Sequence, residues 1–534
     1  MLIIRKVGGI EIFRASYEHE ERVYTRIKES VFKHFQPGTY TDKSEIVKIV
    51  NLIYAQYYEI LDEYFPKVDP RSFIIFLAAE YERYGKVADA YKNNKLSKDD
   101  EEFWASYAAY SRRGIKYLLE LCCRSKMELS KVASAQEDRE YAISMVFIAA
   151  EELVSLYMRS EHYNSFLDEL TLTLNPEKYT YFNVEQDGIL NFDIRKSACD
   201  LEKYIRFPMF LQDIHAHDDI LNESFVDKLG VSYKDLIGTL LGIIETCSDS
   251  ANPEALGKFK WQVAIREIAN RLSITLSQAE LILNGFCLSS ENLEERELFR
   301  PKQEYRAYKR AFFKNSIDGV NCVYFSRRMA LECLNLLICD VPFKKLPPEW
   351  CSKRVKKSLD VLSLKAGRWF EKVVEQNLNT IGIKGSSSIK ALNLSKNNRL
   401  KVPDEIGEID FLGFHEDQKL LVIIEVKQVG FATEPRMHLD DLSKFTYGPK
   451  SYSAKFIKKY NWVLDNIEEV EKHFSYKFNC TSKLNVAGYA MITLYQTMAA
   501  IKIKEFTCIS LSEFMNEFTA TEVWPFSKTQ IDRL

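Results

Sequence analysis

At 534 residues the chain is too long for a single ordinary core and implies two to four domains. A composition 46% hydrophobic and 28% charged is that of a globular protein, which excludes low-complexity and collagen-like classes. The net charge of −3 hides an asymmetry. Residues 351–534 carry 27 Lys+Arg against 22 Asp+Glu, so the C-terminal part is the one expected to meet a polyanion.

The opening segment, MLIIRKVGGIEIFRASYEHEE, is interrupted by charges and Gly too early for a secretory signal and reads as a short strand. No apolar run is expected to approach the roughly 20 residues that span a bilayer. Eleven cysteines without Cys-x-x-Cys spacing favour reduced thiols and a cytoplasmic setting.

From about residue 43 to 290 the pattern is helical. Ile46, Ile49, Val50, Ile53, Tyr57, Ile60, Leu61 and Tyr64 recur at helix-face spacing, with Ser44 as the expected N-cap. Similar runs follow at 100–125, 138–160, 234–246 and 259–272. The stretch Asp213–Asp219 holds His215 and His217 among three aspartates. It reads either as a metal site or, more simply, as a loop between helices. Residues 265–286 have helix-turn-helix rhythm, yet the second helix has no Arg or Lys for bases or phosphates, which favours ordinary packing.

Residues 291–352 form a mixed connecting segment. Arg300, Lys302, Arg306, Lys309 and Arg310 interleave with Tyr305, Tyr308, Phe312 and Phe313, a composition able to grip a phosphate backbone. From 353 onward the expected order is one helix, several strands, a long helix and two more strands. The expected architecture is therefore multidomain: a mainly α-helical sensor or scaffold region (1–290), the connecting segment (291–352) and a C-terminal α/β domain (353–534).

The chemistry concentrates in GEIDFLGFHEDQKLLVIIEVKQ, residues 407–428. Two apolar runs flank a turn-like His415–Gln418 and pair as a hairpin with Phe414 opposite Lys419. In that register Glu408 faces Glu425 and Asp410 faces Ile423, and alternation puts Glu408, Asp410, Glu425 and Lys427 on one face. Crowded carboxylates at the end of a buried strand repel one another unless a cation lies between them. A hard divalent ion suits their oxygens.

Asp410 followed by Glu425-Val426-Lys427 resembles the D…ExK signature of the PD-(D/E)XK, or restriction-endonuclease-like, nuclease superfamily. GRWFEKVVEQNL resembles that family's first core helix. The resemblance covers roughly residues 353–534 and implies an αβββαβ core. It also implies Mg²⁺ or Mn²⁺ held by Asp410, Glu425 and the Val426 carbonyl, with Lys427 as the charge-stabilising and water-positioning group. Glu371 is carried over as the helix-borne acid, with Glu375 as its alternative; Glu408 and Gln428 are auxiliary candidates. Ile409 stands where the family name has Pro, and Asp404 of the literal Pro403–Asp404 pair is rejected as a ligand. Lys353, Arg354, Lys356, Lys357, Lys455, Lys458 and Lys459 are candidates for nucleic-acid contact.

The implied function is an endonuclease, with DNA preferred over RNA as substrate. By architectural analogy it would be a bacterial restriction or phage-defence effector whose helical region senses, oligomerises or binds a partner protein. The rival reading is a catalytically silent nuclease-like binding module on a helical scaffold.

Overall fold

The computed structural model describes residues 3–124, 131–167, 169–178, 181–185, 200–206, 209–247, 255–294, 303–317, 319–432 and 434–532. It is a mixed α/β protein with two compact units, Met1–Gly188 with Ile214–Leu359, and Ile189–Asp213 with Asp360–Leu534. Residues 291–352 thus belong to the first unit.

The first unit opens on a hairpin, Ile3–Val7 with Ile10–Arg14, turned by Gly8 and Gly9 at positive φ. Long helices follow. The stripe read at 43–64 is the buried face of helix Lys43–Tyr64, which packs against helix Gln136–Ser165. Its cap differs from the expectation: Asp42, not Ser44, accepts the Glu45 N–H, because the carboxylate lies one residue before the first helical turn.

Helix Pro70–Lys92 falls within the span read as helical, whereas helix Tyr17–His34 and a small sheet of Gly38–Tyr40, Thr171–Leu174 and Phe182–Glu185 lie beyond the expected pattern. Helix Gln136–Ser165 is long and apolar enough to cross a membrane, contrary to the sequence expectation. Its most apolar window is 72% buried, which accounts for apolar residues around its whole girth.

Asp213–Asp219 is not a loop. Helix Ile214–Leu229 runs through it, with His217, Leu221, Phe225 and Leu229 forming one buried i, i+4 row. His215 is exposed and His217 wholly buried, as two residues apart on a helix requires.

In the second unit the labels run in chain order: α1 (Lys353–Thr380), β1 (Lys384–Ile389), β2 (Ala391–Asn393), β3 (Arg399–Lys401), β4 (Ile409–His415), β5 (Leu420–Lys427), α2 (Pro435–Thr446), α3 (Tyr452–Asp465), α4 (Ile467–Phe478), β6 (Val486–Thr493), β7 (Thr507–Ser510), α5 (Leu511–Thr521) and β8 (Lys528–Gln530). The unit boundary falls inside α1. The main sheet has the order β1-β4-β5-β6-β7, antiparallel as far as β5 and parallel from β5 to β7, with β8 antiparallel to β6.

Leu420 to Val426 of β5 are all buried, as an apolar run covered on both faces should be. The expected single long helix, 452–474, is two, α3 and α4, divided at Asn466, whose backbone leaves the helical region. Helix α2 was not expected. α5 opens at Leu511 through a Ser510–Glu513 capping box.

Candidate active site

The β4–β5 hairpin pairs two residues out of the expected register. Phe414 lies opposite Leu421 and Phe411 opposite Ile424, so the register continued by one places Asp410 opposite Glu425. The turn is Glu416–Lys419, closed by the Lys419 N–H on the Glu416 carbonyl with Lys419 at φ 49°. Locating the turn one residue too early displaced the partners by two. Because strand faces alternate with period two, a two-residue error leaves every side chain on its expected face.

Asp410 is 9% exposed and Glu425 2%. The Asp410 Oδ2 accepts the Val426 N–H at 2.9 Å, tying the end of β4 to β5 through a side chain. Lys427 Nζ lies 3.0 Å from Asp410 Oδ2, 2.6 Å from Glu425 Oε1 and 3.0 Å from the Val426 carbonyl. Three oxygens, two anionic and one carbonyl, therefore converge on one cationic nitrogen.

A second ammonium completes the ring. Lys459, on α3, reaches the remaining oxygens, Asp410 Oδ1 at 2.9 Å and Glu425 Oε2 at 2.6 Å. It is 7% exposed, so it belongs to this site and not to a solvent-facing nucleic-acid surface. The signal was present in the sequence: Phe456, Lys459 and Val463 share the i, i+3, i+7 face that α3 buries. Lys455 and Lys458, by contrast, are exposed.

Charges set the electrostatics. Burial alone would raise the Asp410 carboxyl, but the ammoniums of Lys427 and Lys459 and the Val426 N–H hold it below the usual value. Burial alone would lower the Lys427 ammonium, and Glu425 and Asp410 more than offset that, holding it above its ordinary value.

Glu371 sits beside the ring without entering it. Its Oε2 accepts the Ser388 hydroxyl at 2.7 Å. Burial raises its carboxyl, and the negative charges of Asp410 and Glu408 add to the rise against the Ser388 bond and Lys427. Ser388 lies between the Ser387–Phe411 and Ile389–Ile409 pairs of the β1–β4 register and adopts φ 56°, the left-handed region that non-glycine residues avoid. Glu375, one turn on, accepts from Ser387.

Glu408 points to Lys390 at 3.2 Å, and the Gln428 Nε2 is buried without a hydrogen-bond partner among the described residues. Asp404 is 89% exposed and paired with Lys401, apart from the site.

The other candidates separate clearly. Arg306 is paired with Glu120, Lys309 with Asp340 and Arg310 with Glu349, all largely buried alongside Phe312 and Phe313. That set is interior to the first unit and cannot grip a backbone as expected; Arg300 and Lys302 lie outside the described residues. Lys353, Arg354, Lys356 and Lys357 are exposed, with Arg354 bonded to Glu223. Among the described residues no group of three or more His, Cys, Asp or Glu side chains could hold a metal.

No protein-family model, curated protein or solved structure matches the chain. The functional reading therefore rests on the ring's own chemistry.

The oxygens are of the kind a hard cation takes, and here an ammonium occupies their point of convergence. Asp410, Glu425 and the Val426 carbonyl offer only oxygens, already drawn within 3.0 Å of a common point by an ammonium.

Proposed function

We propose that the second unit is a restriction-endonuclease-like domain of the PD-(D/E)XK type and that the chain is a metal-dependent nuclease acting on DNA. The observation that carries this reading is the convergence of Asp410, Glu425 and the Val426 carbonyl on the Lys427 nitrogen. The order α1, three antiparallel strands, then helices and a parallel β6, supports it.

In this reading the three oxygens would hold Mg²⁺ or Mn²⁺. When bound, such an ion supplies activation of water and neutralisation of charge on a phosphoryl oxygen. Lys427 donates to the phosphate group that gains charge during cleavage. Lys459 keeps the far oxygens of both carboxylates fixed, so that the near oxygens stay convergent. Glu371, with a raised pKa, retains a proton more readily than an ordinary Glu at the site's margin.

A second reading, a silent binding module, is favoured by one observation: two ammoniums already balance the two carboxylates. Nicking of supercoiled plasmid separates the two. The nuclease reading expects relaxation with Mg²⁺, none in EDTA, and at least about a hundredfold loss in Glu425→Ala. Equal nicking by both proteins, or none with any divalent ion, favours the module.

A further inference from the structure

The face of α1 that brings Glu371 to Ser388 continues, one and two turns earlier, as an open surface. At about 100° per residue, Leu364, Gly367 and Arg368 lie within roughly 60° of Glu371 around the axis, with Lys365 and Lys372 along one flank. Leu364, Lys365, Arg368 and Lys372 are exposed, Leu364 by 57%. None of the three cations forms an ion pair with a described residue.

Arg368 and Lys372 put two like charges at i, i+4, with Glu371 and Glu375 three residues after each. Residues 353–372 hold seven basic side chains and two acidic ones.

Gly367 is the second observation. Glycine inside a helix costs stability relative to alanine and is usually retained where a neighbour approaches closely. Here a Cβ would meet nothing within 4 Å. No contact among the described residues explains the bare backbone, and it sits one turn before Glu371.

We propose that this face of α1 seats the phosphate backbone of duplex DNA, which crosses the helix at Gly367 and is held by Lys365, Arg368 and Lys372 on its way to the Asp410–Glu425 ring. The assignment rests on the nuclease reading. The three cations span about 10 Å of helix, along which a duplex presents several phosphates. Gly367 lets the backbone approach where a side chain would stand in its way.

The test is fluorescence anisotropy of a labelled 20-base-pair duplex with the full chain in EDTA, across a salt series. The triple variant Lys365→Gln/Arg368→Gln/Lys372→Gln should bind at least about tenfold more weakly, with the salt slope reduced by nearly three. Its melting temperature should not fall, since the side chains are exposed and a like-charge i, i+4 pair is removed. Gly367→Ala should melt higher yet bind DNA severalfold more weakly; a glycine with no ligand to admit would gain stability and leave binding unchanged.

Wild-type affinity and slope in the triple variant, or no duplex binding by the wild type, overturns the assignment. Metal-dependent nicking that persists in the triple variant with unchanged KM overturns this face alone and leaves the nuclease reading standing. Cation-dependent binding without nicking supports the face and removes hydrolysis. Tighter binding of duplex RNA of the same sequence overturns the choice of DNA.

Discussion

Lys459 places its ammonium 2.6 Å from Glu425 Oε2, although 34 residues separate them and one sits on a helix and the other on the central strand. The bond closes a ring in which each carboxylate gives one oxygen to Lys427 and the other to Lys459. Such a ring is a device for holding two like charges together in a buried place.

Removing one member should therefore be costly. Lys459→Met leaves two buried carboxylates facing one ammonium and should destabilise the protein by about 3 kcal/mol in urea unfolding. Adding Glu425→Gln should restore part of that loss, because it rebalances the charge. A cost below about 0.5 kcal/mol for the single change would contradict the ring.

Lys427 should separate binding from chemistry. In Lys427→Met the three oxygens remain, so Mn²⁺ should still bind, while plasmid nicking should fall by about a hundredfold or more. Loss of metal binding with nicking intact would reverse the assigned roles.

Ser388 combines strain with a useful bond. Its φ of 56° disfavours any side chain, and its hydroxyl holds Glu371. Ser388→Ala loses the bond and keeps the strain, whereas Ser388→Gly loses both, so the glycine variant should be the more stable of the two by about 1 kcal/mol. Thermal melting of both variants reads this order, and an alanine variant as stable as the glycine one would refute it.

His473 gives the second unit an acid-sensitive element. Burial, with Lys477 adding to it, lowers its pKa to about 4, and the Asn393 N–H donates to its Nδ1 at 2.8 Å, which requires that nitrogen to be unprotonated. As pH falls below the ordinary value of 6.5, the unfolded chain takes up this proton before the folded one does. Stability should therefore be intact above pH 6.5 and decline between 6.5 and about 4. His473→Gln should flatten that part of the urea midpoint-versus-pH curve; an unchanged slope would show that His473 titrates freely.

Much of the site was legible because alternation is robust. Asp410, Glu425 and Lys427 share a face in any register of the same parity, so the misplaced turn did no harm to the grouping. Lys459 was misread because lysine is counted as a surface residue, and only its phase with Phe456 and Val463 marks it as interior. Arg306 and Arg310 were misread in the same way: their partners, Glu120 and Glu349, lie 186 and 39 residues away, beyond any local pattern. The helix through His215 is hidden in the sequence because three aspartates mask the row that His217 begins.

The central claim, that three oxygens of this ring form a cation site, is tested most directly by counting bound Mn²⁺ with electron paramagnetic resonance. The account predicts about one ion per wild-type chain, competed by Mg²⁺, and none in Asp410→Asn/Glu425→Gln. Saturable Mn²⁺ binding that survives the double change, or no binding by the wild type at millimolar metal, would contradict it.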